Sequence, residues 1–539
     1  MYADLIFLNG QIITVDAQDT ISEAVAARGD RILAVGPSDE VIGLRGPKTK
    51  VIDLAGKSVL PGIIDAHAHL WSYGLQRLGV DCSYKAVKSI SDIVKKFKVA
   101  SEKTPEGQWL RGWSYNENYL REQRHPTRFD LDKASSVLPI YLRHVSAHVC
   151  VLNSKAIEIV GFNKDSPDPT GGKIERDEHG YPTGVLYEAA NNLAQRASLP
   201  SYEELKASLL LASKDFVAQG VTSVHDAWGL GRNQVKSLCE LERSGELKLR
   251  VYEFLGSFAH DREFFEYFKD AGLMTGFGND RLRLGPVKAV VDGDPTAGTA
   301  SLQEPYTSKP NDTGIIRYSQ DKLDDLFARS HKAGFQVTAH AAGDKAISMV
   351  LSALEKVFRL EGRRNARPRI EHCALLNRNL LQRIKKLRVV PIPQPAFFHD
   401  FGDAFVKDYG DRTEMMFPCK SFHQMGIVAA GSSDCPVTSF NPFQGIYQAM
   451  ARTSKSGCVI GAGERVGLQE AIRLFTINGA YASCEKGIKG SIEPGKLADM
   501  VVLPDNILKA AQDEVREMSA RLVVIGGEVV YVSGDFKDC

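Results

Sequence analysis

Residues 59–69 read Val-Leu-Pro-Gly-Ile-Ile-Asp-Ala-His-Ala-His. An apolar run ends there in Asp65, His67 and His69. Side chains two apart on a strand share a face, so both imidazoles can converge on one metal ion. Alone this pair is weak evidence in a chain with 13 histidines. It gains weight from what stands in or after later apolar runs. Lys288 lies in Pro-Val-Lys-Ala-Val-Val-Asp-Gly and His340 in Val-Thr-Ala-His-Ala-Ala-Gly-Asp. His372 lies in Arg-Ile-Glu-His-Cys and Asp434 in Ala-Gly-Ser-Ser-Asp-Cys-Pro-Val. Imidazole and carboxylate donors suit Zn²⁺, with Mn²⁺, Fe²⁺ and Co²⁺ as further options.

Such a set needs a scaffold that brings strand ends together. The middle of the chain alternates short apolar runs with helical stretches, the pattern of βα units and a parallel sheet. Strand candidates are 59–65, 221–226, 249–255, 282–291, 335–340, 368–372, 388–393 and 427–432. Eight fit an α/β fold of the (β/α)8 TIM barrel type, whose sites lie at the C-terminal strand ends. The gap of about 155 residues between the first two exceeds one βα unit and predicts an inserted subdomain over 75–200. The barrel then comprises 59–74 and 201–488. Both chain ends are β-type, and Gly526-Gly527 between two apolar runs signals a hairpin. Residues 1–58 and 489–539 are each small for a domain and are expected to complete one β-sandwich together.

Composition narrows the function classes. Of 539 residues, 43% are hydrophobic and 25% charged, and the net charge is +1. That balance gives no reason to expect nucleic acid or a membrane as partner. No apolar run is long enough to span a bilayer, and the start lacks the look of a signal peptide. Nine cysteines without CxxC pairs argue against a disulfide framework. The expectation is a cytoplasmic protein, a homodimer on base rate, acting on a small-molecule substrate.

Taken in strand order, HxH, Lys, His, His and Asp resemble the binuclear amidohydrolase superfamily. Pro-Gly-Ile-Ile-Asp-Ala-His-Ala-His, Lys-x-x-x-Asp-Gly at 288–293, His-Ala-x-Gly-Asp at 340–344, Ile-Glu-His at 370–372 and Gly-Ser-Ser-Asp-x-Pro-Val at 431–437 look like its YtcJ-like branch, to which formamide deformylases belong. The likeness covers nearly the whole chain. It implies that one metal ion, with zinc leading on ligand type, takes His67, His69 and Asp434, and a second takes His340 and His372. It also implies that Lys288, carboxylated by CO2, bridges both. A buried lysine beside dications favours the neutral amine such a reaction needs. The implied activity is hydrolysis of a non-peptide C–N bond, an amide or formamide, by a metal-activated hydroxide, with Asp434 as the proton carrier. One departure stands out: Asp292-Gly293 is followed by Asp294-Pro295-Thr296-Ala297-Gly298, which changes a substrate loop and leaves the ligands alone.

Each position also has a plainer reading. His67 and His69 could be satisfied polar residues of a loop, and Lys288 a salt-bridged lysine. Asp65 could orient an imidazole. Glu371 should alternate to the outer face of its strand, so a structural role is expected. Substrate contacts are expected from His148 in the insertion, His225 at the second strand end, Trp113 as an apolar wall and Gln394 after the seventh strand. Cys373 and Cys435 read as packing. Other chemistries fit the same six residues: cyclic-amide hydrolysis, deamination, and ester, lactone or phosphotriester hydrolysis, because fold and ligands do not choose a substrate. Deamination is disfavoured because His340-Ala-Ala-Gly lacks a nearby glutamate. A non-catalytic regulator would be expected to have lost ligands, and all six positions are present.

Overall fold

The computed structural model describes residues 2–146, 149–170, 172–229, 231–256, 264–363 and 367–536. The chain divides into two compact units, Met1–Leu70 with Ala212–Cys539, and Trp71–Leu211.

In the first unit, seven strands form one parallel sheet: β1 (Ile63–Ala68), β2 (Val221–Asp226), β3 (Arg250–Leu255), β4 (Leu282–Val290), β5 (Val337–Ala341), β6 (Arg369–His372) and β7 (Val390–Ile392). Each pairs with its neighbour in sequence order. Every residue of β1, β2 and β3 is buried, as expected of strands covered on both faces. Helices follow the strands: α1 (Arg232–Arg243) after β2, α2 (Gln320–Lys332) after β4, α3 (Asp344–Glu361) after β5 and α4 (Arg378–Leu387) after β6. α3 buries Ile347, Val350, Leu351, Leu354 and Val357, a stripe of helical period. Side chains cap two starts: Ser319 accepts from the Lys322 N–H and Asn377 from the Leu380 N–H.

The expected eighth strand, 427–432, is not a regular strand. The neighbouring segment 430–434 still closes the barrel. Ala430 and Ser432 donate to the Pro391 and Pro393 carbonyls at 3.0 and 3.1 Å. On the other side Ala66 donates to the Gly431 carbonyl at 3.2 Å, and Asp434 to the His67 carbonyl at 2.8 Å. Proline has no N–H, so Pro391 and Pro393 accept from this segment and cannot return a bond. Half the ladder is therefore missing.

The first expected strand also differs, because 59–65 is two strands. Ser58–Pro61 pairs with Gln11–Ile13 and Met500–Val502 in a six-stranded sheet, and the barrel begins only at Ile63. Gly62 is the break. A Cβ there would lie 2.1 Å from Thr222 Oγ1 and 2.8 Å from Asp499 Cβ, so only glycine fits so close a pass. The six-stranded sheet joins segments from both chain ends. A four-stranded sheet of Leu5–Leu8, Ala24–Arg28, Arg31–Gly36 and Lys50–Asp53 shares a core with it. Phe7, Val25, Ile52, Val59, Met500, Val502 and Leu522 belong to that core.

The second unit has its own six-stranded mixed sheet, ordered Gly172–Arg176, Pro182–Glu188, Val149–Leu152, Ile140–His144, Leu110–Tyr115 and Val80–Asp81. Its core includes Phe97, Leu110, Tyr115, Leu142, Val151 and Val185.

Candidate metal centre

β1 delivers His67, and His69 follows its end. Backbone bonds tie this corner to the closing segment: Asp434 N–H to the His67 carbonyl, and His69 N–H to the Cys435 carbonyl, both 2.8 Å. Asp65 completes the tie. Its carboxylate accepts from the His67 N–H (3.2 Å), the Ser433 N–H (3.1 Å) and Ser433 Oγ (2.5 Å). It therefore fixes backbone and orients no imidazole. Burial pushes its pKa up to about 6 against those bonds.

The result is a close cluster. One ligand atom each from His67, His69 and Asp434 lies within 4.8 Å of the others. His69 Nε2 is 3.2 Å and His67 Nε2 3.4 Å from Asp434 Oδ1. Lys288 on β4 places Nζ 3.4 Å from His67 Nε2. The His372 ring lies 5.0 Å from His67 and 4.3 Å from His340, centroid to centroid. The structure thus brings the six expected ligand positions into one place.

Each ring is held by one nitrogen. His67 Nδ1 meets Glu371 Oε2 at 2.6 Å, and His372 Nδ1 meets Gln394 Oε1 at 2.9 Å. Both keep Nε2 for a ligand role. His340 is held the other way round, with Nε2 2.9 Å from the Gly293 carbonyl, leaving Nδ1. Such partners set tautomer and ring orientation. Burial pulls the pKa of His67, His340 and His372 well below the ordinary imidazole value, and neighbouring rings and Lys288 add to it. All three therefore offer neutral, lone-pair-bearing nitrogens. Burial also pushes the Lys288 amine down to about 8, with Glu371 and Asp434 opposing.

Glu371 is the residue that the sequence reading misplaced. Alternation sends one of two neighbours outward, yet Glu371 and His372 both turn into the barrel. The reason is a left-handed backbone: φ is +66° at His372 and +49° at Cys373. Such values are uncommon outside glycine and cluster at functional sites. Glu371 is fully buried and accepts from Thr338 Oγ1 (2.6 Å), Arg369 Nε (2.8 Å) and a second Arg369 nitrogen (3.1 Å). Burial alone would raise its pKa; Arg369 and Lys288 outweigh that and hold it below the usual range. A signal existed in the sequence. Arg369 and Glu371 stand two apart in the strand Arg-Ile-Glu-His, so they share a face and their opposite charges can pair. Asp292 was missed as well: its buried carboxylate accepts from the Ser301, Ala342 and Gly343 N–H groups and knits the loops after β4 and β5.

The expected substrate contacts fare differently. Gln394 is fully buried, and besides His372 its amide donates to the Ile392 carbonyl and Ser432 Oγ. With its amide so engaged it holds a ring and leaves nothing for a substrate. His225 does not line the mouth: it is fully buried, with Nδ1 accepting from Arg369 at 2.8 Å and its ring 5.2 Å from Tyr252. A strand-end position does not reveal depth in the barrel. Trp113 is buried in the second unit, its ring 6.1 Å from Tyr141 with the Arg143 guanidinium 5.8 Å above it; it is core there. His148 lies outside the described residues. Cys373 and Cys435 are buried thiols, raised in pKa mainly by burial.

A parallel barrel whose strand ends gather neutral imidazoles, an aspartate and a buried lysine is the architecture of a metal-dependent hydrolase. The chain belongs to the amidohydrolase family, whose model matches residues 50–531. It is 32% identical to the N-substituted formamide deformylase of Arthrobacter pascens, over 98% of both chains. It is 29% identical to the putative amidohydrolase YtcJ of Bacillus subtilis (strain 168), over 98% of this chain and 99% of that one. Among solved structures, an uncharacterized metal-dependent hydrolase from Pyrococcus horikoshii OT3 superposes with a TM-score of 0.80 at 24% identity, covering 94% of this chain and 99% of the other. The shared fold includes the barrel. No described helix is long and apolar enough to cross a membrane.

Proposed function

We propose that this protein hydrolyses a non-peptide C–N bond, an amide or formamide of a small molecule, at a binuclear divalent-metal centre. The observation that carries the reading is the convergence of His67, His69 and Asp434 within 4.8 Å, beside three further groups of the right type. The donor set fits a metal. The imidazoles of His67, His340 and His372 are held neutral by burial, and each is anchored through one nitrogen, which leaves its other nitrogen for an ion. His67, His69 and Asp434 would hold one ion and His340 and His372 another, most simply zinc by ligand type. Lys288 is the bridging candidate: a free amine with a pKa near 8 can add CO2, forming an N–C bond and releasing one proton.

Bound there, divalent ions would supply Lewis acidity and lower the pKa of a water to about 7. The protein supplies the rest. Asp434, on a strained backbone with φ of +55°, can take the water's proton and hand it to the leaving nitrogen. Glu371 and Gln394 keep the rings from turning as charge moves. The amidohydrolase family supports hydrolysis, and the deformylase relative favours the formamide type.

The test is metal content per chain by plasma emission, beside Lys288→Ala, with N-formyl amines assayed in parallel. About two equivalents, falling in the variant and accompanied by formate release, is the expected result. One equivalent unchanged in the variant defeats the bridged centre, and absence of hydrolysis at full metal occupancy defeats the C–N reading.

A further inference from the structure

One carboxylate at these strand ends has no place in the ligand set. Asp294 follows Gly293, whose carbonyl contacts His340, and it is not among the three converging ligands. Its loop is pinned. Oδ1 accepts from the Thr296 N–H (2.7 Å) and Oγ1 (2.5 Å), and the Asp294 N–H donates to Thr299 Oγ1 at 3.0 Å. The Tyr409 hydroxyl donates to the next carbonyl, that of Pro295, at 2.8 Å. Gly293 cannot yield, since a Cβ there would lie 2.4 Å from the Thr299 carbonyl oxygen.

The side chain is half-buried, and the turn uses only one of its oxygens. Oδ2 makes no hydrogen bond or ion pair with the described residues. The carbonyl of the preceding Gly293 lies 2.9 Å from His340 Nε2, and the Asp294 charge is felt at both His340 and Asp434, so it stands beside the strand-end cluster. A rigid, partly desolvated carboxylate with a free oxygen attracts a cation and repels an anion. Bound metal ions would offset its charge at a distance and leave that oxygen without a donor.

We propose that Asp294 selects substrates by charge, accepting a hydrogen bond from an ammonium or amidinium group on the amine side and disfavouring carboxylates there. The preferred substrates are then monoacylated diamines rather than N-acyl amino acids. This rests on the proposed C–N hydrolysis and narrows it.

The test uses the zinc-loaded full chain and three N-formyl compounds of equal chain length: a monoformyl diamine, a formyl alkylamine and a formyl ω-amino acid. Wild type should rank them by kcat/KM in that order. Asp294→Asn keeps the Oδ1 acceptor that the turn needs and removes only the charge. The cationic-to-neutral ratio should fall about tenfold or more, the value of a charge-assisted hydrogen bond, and the anionic-to-neutral ratio should rise. Equal ratios in both proteins overturn the inference. Calorimetric binding of the free diamine against the monoamine decides the same point without turnover. If no formamide is cleaved, the hydrolysis reading falls, yet weaker diamine binding in the variant still supports Asp294 and unchanged binding still overturns it.

Discussion

Arg250 begins β3 and meets Asp499, which precedes the Met500–Val502 strand of the sandwich. Arg250 donates two bonds to the carboxylate, at 2.7 and 2.9 Å, and a third to the Asp280 carbonyl at 2.8 Å. Asp499 also accepts from the Gly526 N–H at 2.8 Å. Both side chains are nearly inaccessible, and every charge has its counterpart. The strand ends on the opposite side of β1 and β4 hold a second buried cluster, built otherwise. There an amine faces an imidazole across 3.4 Å, the His67 and His340 rings both crowd His372, and His372, Cys373 and Asp434 hold left-handed backbones. The first cluster is complete within the fold, whereas the second, on the proposed function, is completed by bound metal. Burying an amine among imidazoles, with no opposite charge matched to each, costs stability, so a site that does it is kept for chemistry.

Substitutions should separate the two regions. The largest effect is expected from Asp434→Asn. Formamide hydrolysis should fall by about 10²–10⁴-fold, the usual worth of a positioned proton carrier, while the urea midpoint stays near wild type. Full activity in that variant would sink the assignment. Arg250→Met should do the reverse. Leaving Asp499 buried without its partner costs about 3–5 kcal/mol of folding stability, read from urea unfolding, while the folded fraction keeps its metal content. A stable Arg250→Met protein would erase the contrast between the clusters.

Glu371→Gln should come next. The amide can still accept from His67, but the charge that fixes the ring is gone, so metal affinity should weaken by about 10–100-fold in chelator competition. Thr338→Val removes a neighbouring donor to the same carboxylate and should weaken metal binding less. Equal metal affinity in wild type and Glu371→Gln would reduce Glu371 to a partner for Arg369 alone.

These residues also show what the sequence could reveal. His67, His69, Lys288, His340, His372 and Asp434 were legible because each ends or interrupts an apolar run, and a parallel barrel brings such positions together. Their supports were not. Glu371 required knowing that φ turns positive at His372, which one-residue alternation cannot show. Gln394 and His225 required depth along the barrel axis: both stand near strand ends, yet one sits behind a ligand ring and the other against Arg369 and Tyr252. The eighth strand was legible as an apolar run and lost its regular pairing to Pro391 and Pro393, whose missing donors are plain in Val-Pro-Ile-Pro once the neighbour is known. Pro61-Gly62 hid a change of sheet inside one apolar stretch, because Thr222 and Asp499, the close contacts that demand glycine, lie far away in sequence.

The smallest expected effect sharpens the comparison by pH. Burial alone would raise the Asp499 pKa, but Arg250, its hydrogen bonds and the Gly526 N–H outweigh it and hold the value below 3.8. A carboxylate whose pKa is depressed on folding contributes stability above its unfolded value and loses it as pH falls through the folded one. The difference in urea midpoint between wild type and Asp499→Asn should therefore be constant above about pH 5 and should narrow below about 3.8, where protonation of the wild-type carboxylate removes what the variant already lacks. A gap that holds constant into stronger acid would mean that Arg250 is satisfied by backbone carbonyls rather than by the charge of Asp499. The seam would then resemble the strand-end cluster in carrying an incompletely paired ion, and the division between a region completed by folding and one completed by binding would have to rest on geometry alone.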